Sequence, residues 1–209
     1  MSIIICPGIH SPQLTENFVS TCIKPILARI GQEESVELLV IPNQGVLNLS
    51  GIHIFQFLCE RLKVELSFPW GNQNTTPLIF IGFSAGVVGA MMAALNWQIW
   101  GGTIKALIAI DGWGVPLIPL SVNFPIHRIS HDYFTHWSSK MLGGGHNNFY
   151  ADPAVEHLEM WRSPQTVQGW WVDLPIGESR PDQCLSLTQF LYLLLHDYTK
   201  NSPENGLRN

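Results

Sequence analysis

Residues 77–86 read PLIFIGFSAG, and this stretch decides the fold. Residues 77–81 have the aromatic and β-branched composition of a buried strand, and Gly82 and Gly86 break the apolar run where a turn is expected. Residues 85–97 are again apolar and predict a helix. We therefore predict a strand, a sharp turn that carries Ser84, and a buried helix.

The same alternation of strand and helix continues on both sides of this stretch. Apolar strands are predicted at residues 2–6, 36–41, 104–110 and 124–130, and helices at residues 13–30, 49–62 and 185–198. Strands that are apolar throughout are typical of a parallel sheet covered on both faces and joined by right-handed crossovers. The pattern predicts an α/β fold with a doubly wound, mostly parallel sheet.

Length and composition indicate one domain. The chain has 209 residues, of which 46% are hydrophobic, enough for one well-buried core. We expect this domain to span residues 1–200 and residues 201–209 to form a flexible tail. Residues 161–182, which contain three tryptophans, are expected to form a loop or hairpin that packs over the core or over a site.

Charge and motif content argue against several classes of partner. Only 13% of residues are charged and the net charge is −5, so nucleic acid is not an expected partner. The apolar run at residues 78–95 has the length of a marginal membrane span, but its strand-like start and its glycines favour a strand and a helix. No secretory signal is apparent at the N-terminus, so we expect a cytoplasmic protein. The sequence does not indicate an oligomeric state.

The residues around Ser84 form a G-x-S-x-G motif between a predicted strand and a predicted helix. A serine in such a turn is held in a strained backbone conformation, and the flanking glycines let strand and helix approach closely. The turn also leaves the Ala85 amide free to donate to a developing oxyanion. The alternatives are a turn whose serine only caps the helix and a phosphate-binding turn, although neither common nucleotide-binding glycine motif is present.

On these residues and this order of elements, the chain resembles the α/β-hydrolase superfamily over residues 2 to about 149 and the final helix. The serine strand is usually the fifth in that family, and only two strands precede it here, so the resemblance implies a compact esterase-like or lipase-like member that lacks the first two strands. It also implies a serine hydrolase that cleaves a small-molecule carboxylic ester or thioester through an acyl-enzyme, without a cofactor or a metal.

The family's order of catalytic residues is serine, then acid, then histidine. Asp132 follows the strand at residues 124–130 and is predicted as the acid, with Asp111, at the end of the preceding strand, as the alternative. His146 lies in a glycine-rich loop and is predicted as the base. We expect His157 and the later His196 to be surface or packing residues of helices.

The loop after the first strand is the expected source of the second oxyanion donor. Its sequence resembles the His-Gly-x loop of small lipases, with Pro7 in place of the histidine, and this resemblance assigns the donor to the Ile9 amide. The alternative is a plain turn with Gly8 at positive φ.

Two other functions compete with hydrolysis. A metal site built from His127, His131, His136 and Asp132 has the right ligand types, but the spacing fits no recognised zinc pattern, so no metal is expected. A non-catalytic protein of the same fold that binds a ligand or partner remains an alternative. A membrane-associated or nucleotide-binding α/β protein is a further one.

Overall fold

The computed structural model describes residues 1–64, 66–67, 71–72, 76–112, 114–117, 122–143, 145, 147–172 and 184–200. The predicted base His146 and the predicted tail at residues 201–209 lie outside the described residues, as do residues 173–182 of the tryptophan-rich region.

The centre of the fold is an eight-stranded sheet in the order β10-β9-β8-β7-β6-β5-β1-β2. The six strands β1, β2, β5, β6, β7 and β8 pair parallel with one another, whereas β8 pairs antiparallel with β9, and β9 with β10. The strands are β1 (Ser2–Cys6), β2 (Glu37–Val40), β5 (Leu78–Phe83), β6 (Ile104–Ile110), β7 (Ile126–Ser130), β8 (Asn148–Ala151), β9 (Gln168–Val172) and β10 (Cys184–Ser186). Strands β3 (Leu66–Ser67) and β4 (Gly71–Asn72) form a separate pair.

Helices cover both faces of this sheet. They are α1 (Pro12–Phe18), which continues through a π-helical turn (Val19–Ile23) into α2 (Lys24–Arg29), then α3 (Gly51–Arg61), α4 (Gly86–Ile99), α5 (Tyr133–Lys140), α6 (Glu159–Arg162) and α7 (Leu187–Lys200). A 3₁₀ turn (Gly45–Leu49) precedes α3.

Alternate residues of β5 enter two separate cores. Ile79 and Ile81 pack with residues of α1, α2 and α7, while Leu78 and Phe80 pack with residues of α3 and α4. Both faces of β5 are therefore dry, which explains why the strand is apolar throughout. The predicted α/β fold with a mostly parallel sheet is confirmed.

The second half of the chain contains elements that the hydrophobic pattern did not indicate. Helix α5 buries Thr135, His136 and Ser139 and exposes Phe134 and Trp137, so its apolar residues do not mark its inner face. Strand β8 is only four residues long, and β10 occupies the predicted first turn of the last helix. Within the described residues, no helix combines the length and the apolar character that a membrane crossing requires.

Candidate active site

Ser84 occupies the turn between β5 and α4. Its φ angle is +52°, in the left-handed region that residues with a side chain rarely adopt. The turn is held in place because the Ser84 amide donates to the Ile110 carbonyl oxygen over 2.9 Å. Helix α4 begins at Gly86, so Ser84 lies at the positive end of the helix dipole. The predicted strained turn at Ser84 is confirmed.

The glycines on either side of Ser84 are required by close approach of the backbone. A Cβ at Gly82 would lie 2.9 Å from the Val87 Cα. A Cβ at Gly86 would overlap the carbonyl oxygens of Cys6 and Pro7 at the end of β1. Any larger residue at either position would therefore push β1, β5 and α4 apart.

The loop after β1 lies against the serine. A Cβ at Gly8 would lie 3.0 Å from both the Ser84 Cβ and the Phe83 carbonyl oxygen. Gly8 is not among the glycines with positive φ, so the alternative of a plain turn with Gly8 in that conformation is wrong. A side chain at this position would require the loop or the serine turn to shift by a few tenths of an ångström.

Two backbone amides near Ser84, those of Ile9 and Ala85, are possible donors to a bound ligand. Among the described residues, none accepts a hydrogen bond from the amide of Ile9 or from that of Ala85. Ala85 directly follows the serine, and Ile9 follows the glycine that contacts it. Unpaired amides on two sides of a nucleophile are the arrangement that stabilises a tetrahedral oxyanion.

Ser84 opens into a pocket of about 480 Å³, within the size range of small-molecule sites. The pocket is lined by Ser84, Ala85, Val88, Asp111, Val115, His131, Asp132, Phe134, Thr135 and His157. It thus combines a serine, two carboxylates and two imidazoles with an apolar wall. The described residues place both predicted acids in this pocket.

Asp111 is the most buried charged group of the pocket. It follows β6, has a φ angle of +53° and exposes 1% of its side chain. Its carboxylate lies 2.8 Å from His131 Nδ1 and 2.5 Å from His157 Nδ1, and it accepts the His131 amide over 3.2 Å. A carboxylate of this kind can only accept, so both imidazoles donate from Nδ1; in a neutral ring with this tautomer the lone pair lies on Nε2.

The ring of His157 lies directly beside the serine turn. It stacks on Phe83, the residue before Ser84, with ring centroids 4.8 Å apart and planes inclined by 19°. No described residue forms a hydrogen bond with His157 Nε2 or with the Ser84 hydroxyl, and the two are not bonded to each other. Catalytic hydrogen bonds in ligand-free enzymes are often long and tighten when substrate binds.

His131 is oriented differently, because its second nitrogen faces another carboxylate. His131 Nε2 lies 3.6 Å from Asp132 Oδ2, whereas its Nδ1 contacts Asp111. His131 therefore bridges the two acids of the pocket, and of the two imidazoles only that of His157 leaves Nε2 without a carboxylate partner among the described residues.

Asp132 caps helix α5. Its Oδ1 accepts the Thr135 amide over 2.6 Å. Partial burial raises the pKa of the Asp132 carboxyl, but hydrogen bonds from Thr135 and the nearby His131 lower it by more, so this pKa lies below its usual value. The carboxylate is therefore held by its own helix, and its imidazole contact is with His131 rather than with His157.

The position of His157 differs from the expectation. It lies in the turn just before α6 and not within a helix, so its assignment as a surface or packing residue of a helix is wrong. Strand β8 is too short to be predicted from the hydrophobic pattern, and His157 lies in the loop that follows it.

Of the four metal ligands considered from the sequence, His131 and Asp132 lie together in the pocket, but His127 and His136 lie elsewhere. His127 is buried against Tyr198, with a distance of 2.6 Å between its Nε2 and the tyrosine hydroxyl, and His136 packs on Tyr150. Neither residue lines the pocket.

A different group of possible ligands does converge. The Asp–His cluster, defined as Asp111, His131 and His157, has one donor atom from each residue within 4.8 Å of the others. The separations of 2.5 and 2.8 Å are hydrogen-bonding distances. Zinc with bonds of about 2.0–2.1 Å in tetrahedral geometry needs donor atoms ~3.3 Å apart. The cluster would have to open before it could hold a metal.

Arg128 of β7 holds the wall of the pocket. Its guanidinium is buried and donates to the carbonyl oxygens of Val115, Leu142 and Gly143. Burial lowers the pKa of this guanidinium to about 10. The arginine thereby joins the loop after β6 to the segment after α5.

No protein-family model matches the chain, and no curated protein is significantly similar to it in sequence.

Proposed function

We propose that this protein is a serine hydrolase that cleaves a carboxylic ester or thioester through an acyl-enzyme, with Ser84 as nucleophile, His157 as base and Asp111 as the acid. The observation that carries the proposal is the Asp111–His157 hydrogen bond in the pocket of a serine held at positive φ. This proposal takes the alternative acid in place of Asp132, and His157 in place of His146, which lies outside the described residues.

We also propose that the sheet is a minimal α/β-hydrolase fold that lacks the first two strands. Within the main sheet, two strands, β1 and β2, precede β5 in the chain, and the nucleophile, the acid and the base follow β5, β6 and β8 in that order. Active sites of open α/β sheets gather at these carboxyl ends of the strands.

His157 is chosen as the base over His131 because the Nε2 atoms of the two rings have different surroundings. His157 Nε2 has no described partner and its ring stacks on the serine turn, whereas His131 Nε2 faces Asp132. A base must receive the serine proton on a free lone pair. His131 instead donates to Asp111 and helps to hold that carboxylate.

The reaction then follows from these positions. Ser84 Oγ attacks the substrate carbonyl carbon while its proton passes to His157 Nε2, and Asp111 stabilises the resulting imidazolium through Nδ1. The tetrahedral intermediate collapses as His157 returns this proton to the leaving alkoxide or thiolate, which departs as alcohol or thiol. Water, deprotonated by His157, attacks the acyl-serine ester, and Ser84 is regenerated with release of the carboxylic acid.

The oxyanion of each tetrahedral intermediate would be bound by backbone amides. The amides of Ala85 and Ile9 have no acceptor among the described residues, and Gly8 holds the second loop within contact distance of the serine. Removal of one such donor typically costs about 10²–10³ in kcat.

The substrate class follows from the pocket. Val88, Val115 and Phe134 form its apolar wall, and its volume of about 480 Å³ suits a small-molecule ester. These side chains favour a substrate with an uncharged, apolar acyl group, because burying an unpaired charge against them would be costly.

The proposal is tested by reaction with a fluorophosphonate probe, which forms a covalent bond to an activated serine with loss of fluoride. The wild type, Ser84→Ala, His157→Gln and His146→Gln are compared after circular dichroism has shown that each is folded. We expect labelling of the wild type and of His146→Gln, and none of the other two variants.

Each other outcome changes the assignment. Loss of labelling in His146→Gln but not in His157→Gln would return the base to His146. A folded wild type that does not react at all would contradict hydrolysis and favour a non-catalytic protein that binds a ligand in the same pocket.

A further inference from the structure

Asn48 is a buried polar residue outside the proposed catalytic group. It lies in the 3₁₀ turn before α3 and exposes 1% of its surface. Its backbone packs so tightly on α4 that a Cβ at Gly89 would overlap the Asn48 carbonyl oxygen. The backbone of Asn48 is therefore fixed relative to the helix that follows Ser84.

The carboxamide of Asn48 forms hydrogen bonds with the loop after β1. Its Nδ2 lies 3.1 Å from the Gly8 carbonyl oxygen and 3.3 Å from that of Pro7, and it also donates to Asn43 Oδ1 over 3.1 Å. Its Oδ1 accepts the Gln44 amide over 3.1 Å. Every polar atom of this side chain is thus engaged, which fixes its orientation.

A second asparagine, Asn43, also binds a carbonyl group of this loop. Asn43, which is bonded to Asn48, donates from its own Nδ2 to the His10 carbonyl oxygen. The two side chains together hold the carbonyl groups of residues 7, 8 and 10. The carbonyl group of Ile9 is the one in this stretch that neither asparagine binds.

We propose that Asn48 is a positioning residue that aims the Ile9 amide at the oxyanion formed on a substrate attacked by Ser84. This inference rests on the proposed function. It adds a residue that does not touch the substrate and acts through the backbone of the loop.

The physical link is the planarity of the peptide group. The Gly8 carbonyl and the Ile9 amide belong to the same trans peptide unit, so they point in opposite directions. A hydrogen bond from Asn48 to that carbonyl therefore sets the direction of the Ile9 N–H. The same peptide unit begins at Gly8, whose Cα carries no Cβ and lies against Ser84.

An amide with a fixed direction stabilises a developing oxyanion more than a mobile amide does. A donor that already points at the site of the developing charge needs no reorganisation during the reaction. Because the loop has no regular secondary structure, the Asn48 contacts supply the order that a strand or helix would otherwise provide.

The test variant is Asn48→Asp, which keeps the shape of the side chain and the acceptor for Gln44 but replaces the donor with an oxygen. This oxygen repels the Pro7 and Gly8 carbonyl groups. We expect kcat for a short-chain p-nitrophenyl ester to fall by about 10- to 100-fold, with KM within about twofold of the wild type. Binding of a trifluoromethyl ketone, whose adduct carries an oxyanion, should weaken by the same factor as kcat.

The matched control is Ser50→Ala in the same segment. Ser50 caps α3 by accepting the His53 amide over 3.2 Å, and in the described part of the chain its side chain forms no hydrogen bond with the loop after β1. Both variants should lower the melting temperature, but Ser50→Ala should leave kcat unchanged. A purely structural role of Asn48 would instead make the two variants alike in kcat at equal folded fraction, and this result would overturn the inference.

Two further outcomes are separable. If Asn48→Asp does not fold, Asn48→Ala removes the donor without adding a charge and must show the same selective loss of kcat and of ketone affinity. If the wild type is labelled at Ser84 by a fluorophosphonate and Asn48→Asp is labelled at the same rate, the role of Asn48 is wrong while the proposed function stands. If the wild type is not labelled, both the proposed function and the role of Asn48 are wrong.

Discussion

Replacing Asp111 with asparagine separates the charge of this side chain from its size. The carboxylate accepts hydrogen bonds from His157 Nδ1, His131 Nδ1 and the His131 amide. An asparagine has one acceptor oxygen, and its NH₂ group would face a ring nitrogen that also carries a hydrogen. His157 would then be held in the other tautomer, with the hydrogen on Nε2, where it cannot receive the Ser84 proton.

On the proposed function, the expected loss of kcat is about 10⁴-fold, the loss known for this change of the acid in a Ser-His-Asp triad, which corresponds to about 5.4 kcal/mol of transition-state stabilisation. The stability loss should be smaller. One charge-assisted hydrogen bond contributes about 1.5–3 kcal/mol, so we expect the free energy of unfolding to fall by about 2 kcal/mol. A domain with ordinary stability of about 5–15 kcal/mol stays folded after this change.

The matched control is Asp132→Asn. Asparagine caps helices as well as aspartate does, so α5 should keep its hydrogen bond to Thr135. The change removes only the contact of 3.6 Å with His131, a partly exposed pair of a kind worth about 0–1 kcal/mol. We expect kcat within about threefold of the wild type and an almost unchanged free energy of unfolding.

The assay is the hydrolysis of p-nitrophenyl butyrate under steady-state conditions, with guanidinium unfolding followed by tryptophan fluorescence for each variant. A fall of kcat by 10³ or more in Asp132→Asn, with Asp111→Asn close to the wild type, would refute our reasoning and restore Asp132 as the acid.

Other perturbations have distinct expected results. His157→Gln should lower kcat by about 10⁴-fold or more because the base is lost, whereas His131→Gln should cost about tenfold, the scale of one orienting hydrogen bond; equal losses would contradict these roles. Arg128→Leu removes the donor to the partly buried carbonyl groups of Val115 and Gly143 and should lower the free energy of unfolding by about 3 kcal/mol, and an unchanged guanidinium midpoint would contradict this. Because folding lowers the pKa of Asp132, its stabilising effect is fully present above the unfolded pKa near ~4 and is lost as the pH falls through the lower folded value. The stability gap between the wild type and Asp132→Ala should therefore close in acid, as measured by unfolding at a series of pH values. Dialysis against a chelator should leave esterase activity intact, since the Asp–His cluster is held by hydrogen bonds; loss that zinc restores would show a metal enzyme.

The sequence indicated the first half of the fold well because each element there is both regular and buried. β1, β5 and β6 are apolar except for Ser2 and Lys105, and α4 is apolar over most of its length, so local composition and core position agree. The turn at Ser84 was also predicted, since its spacing of glycines is a local requirement of the strand and helix on either side. Within the described residues, no acceptor pairs with the amides of Ile9 and Ala85, which the resemblance and the motif assign to the oxyanion hole, and that role stays a prediction.

The second half of the fold was harder to predict from the sequence. Its strands are short, and one of its helices buries polar residues. β8 has four residues, and α5 turns Thr135 and Ser139 to the interior. Without β8, the loop that carries His157 had no place in the order of elements. A short strand is stable only through its neighbours in the sheet, so its own sequence contains little of the information that positions it.

The sequence by itself thus determined the α/β class, the parallel centre of the sheet and the strained serine turn, since these depend on apolar runs and on glycine spacing within a few residues. Only the tertiary structure decided that Asp111 meets His157, 46 positions further along the chain, while Asp132 caps its own helix. Both carboxylates follow a strand of the same sheet and have similar local sequence signals. Which of them forms a hydrogen bond with His157 depends on the path of the chain after β8. No local sequence pattern specifies that path.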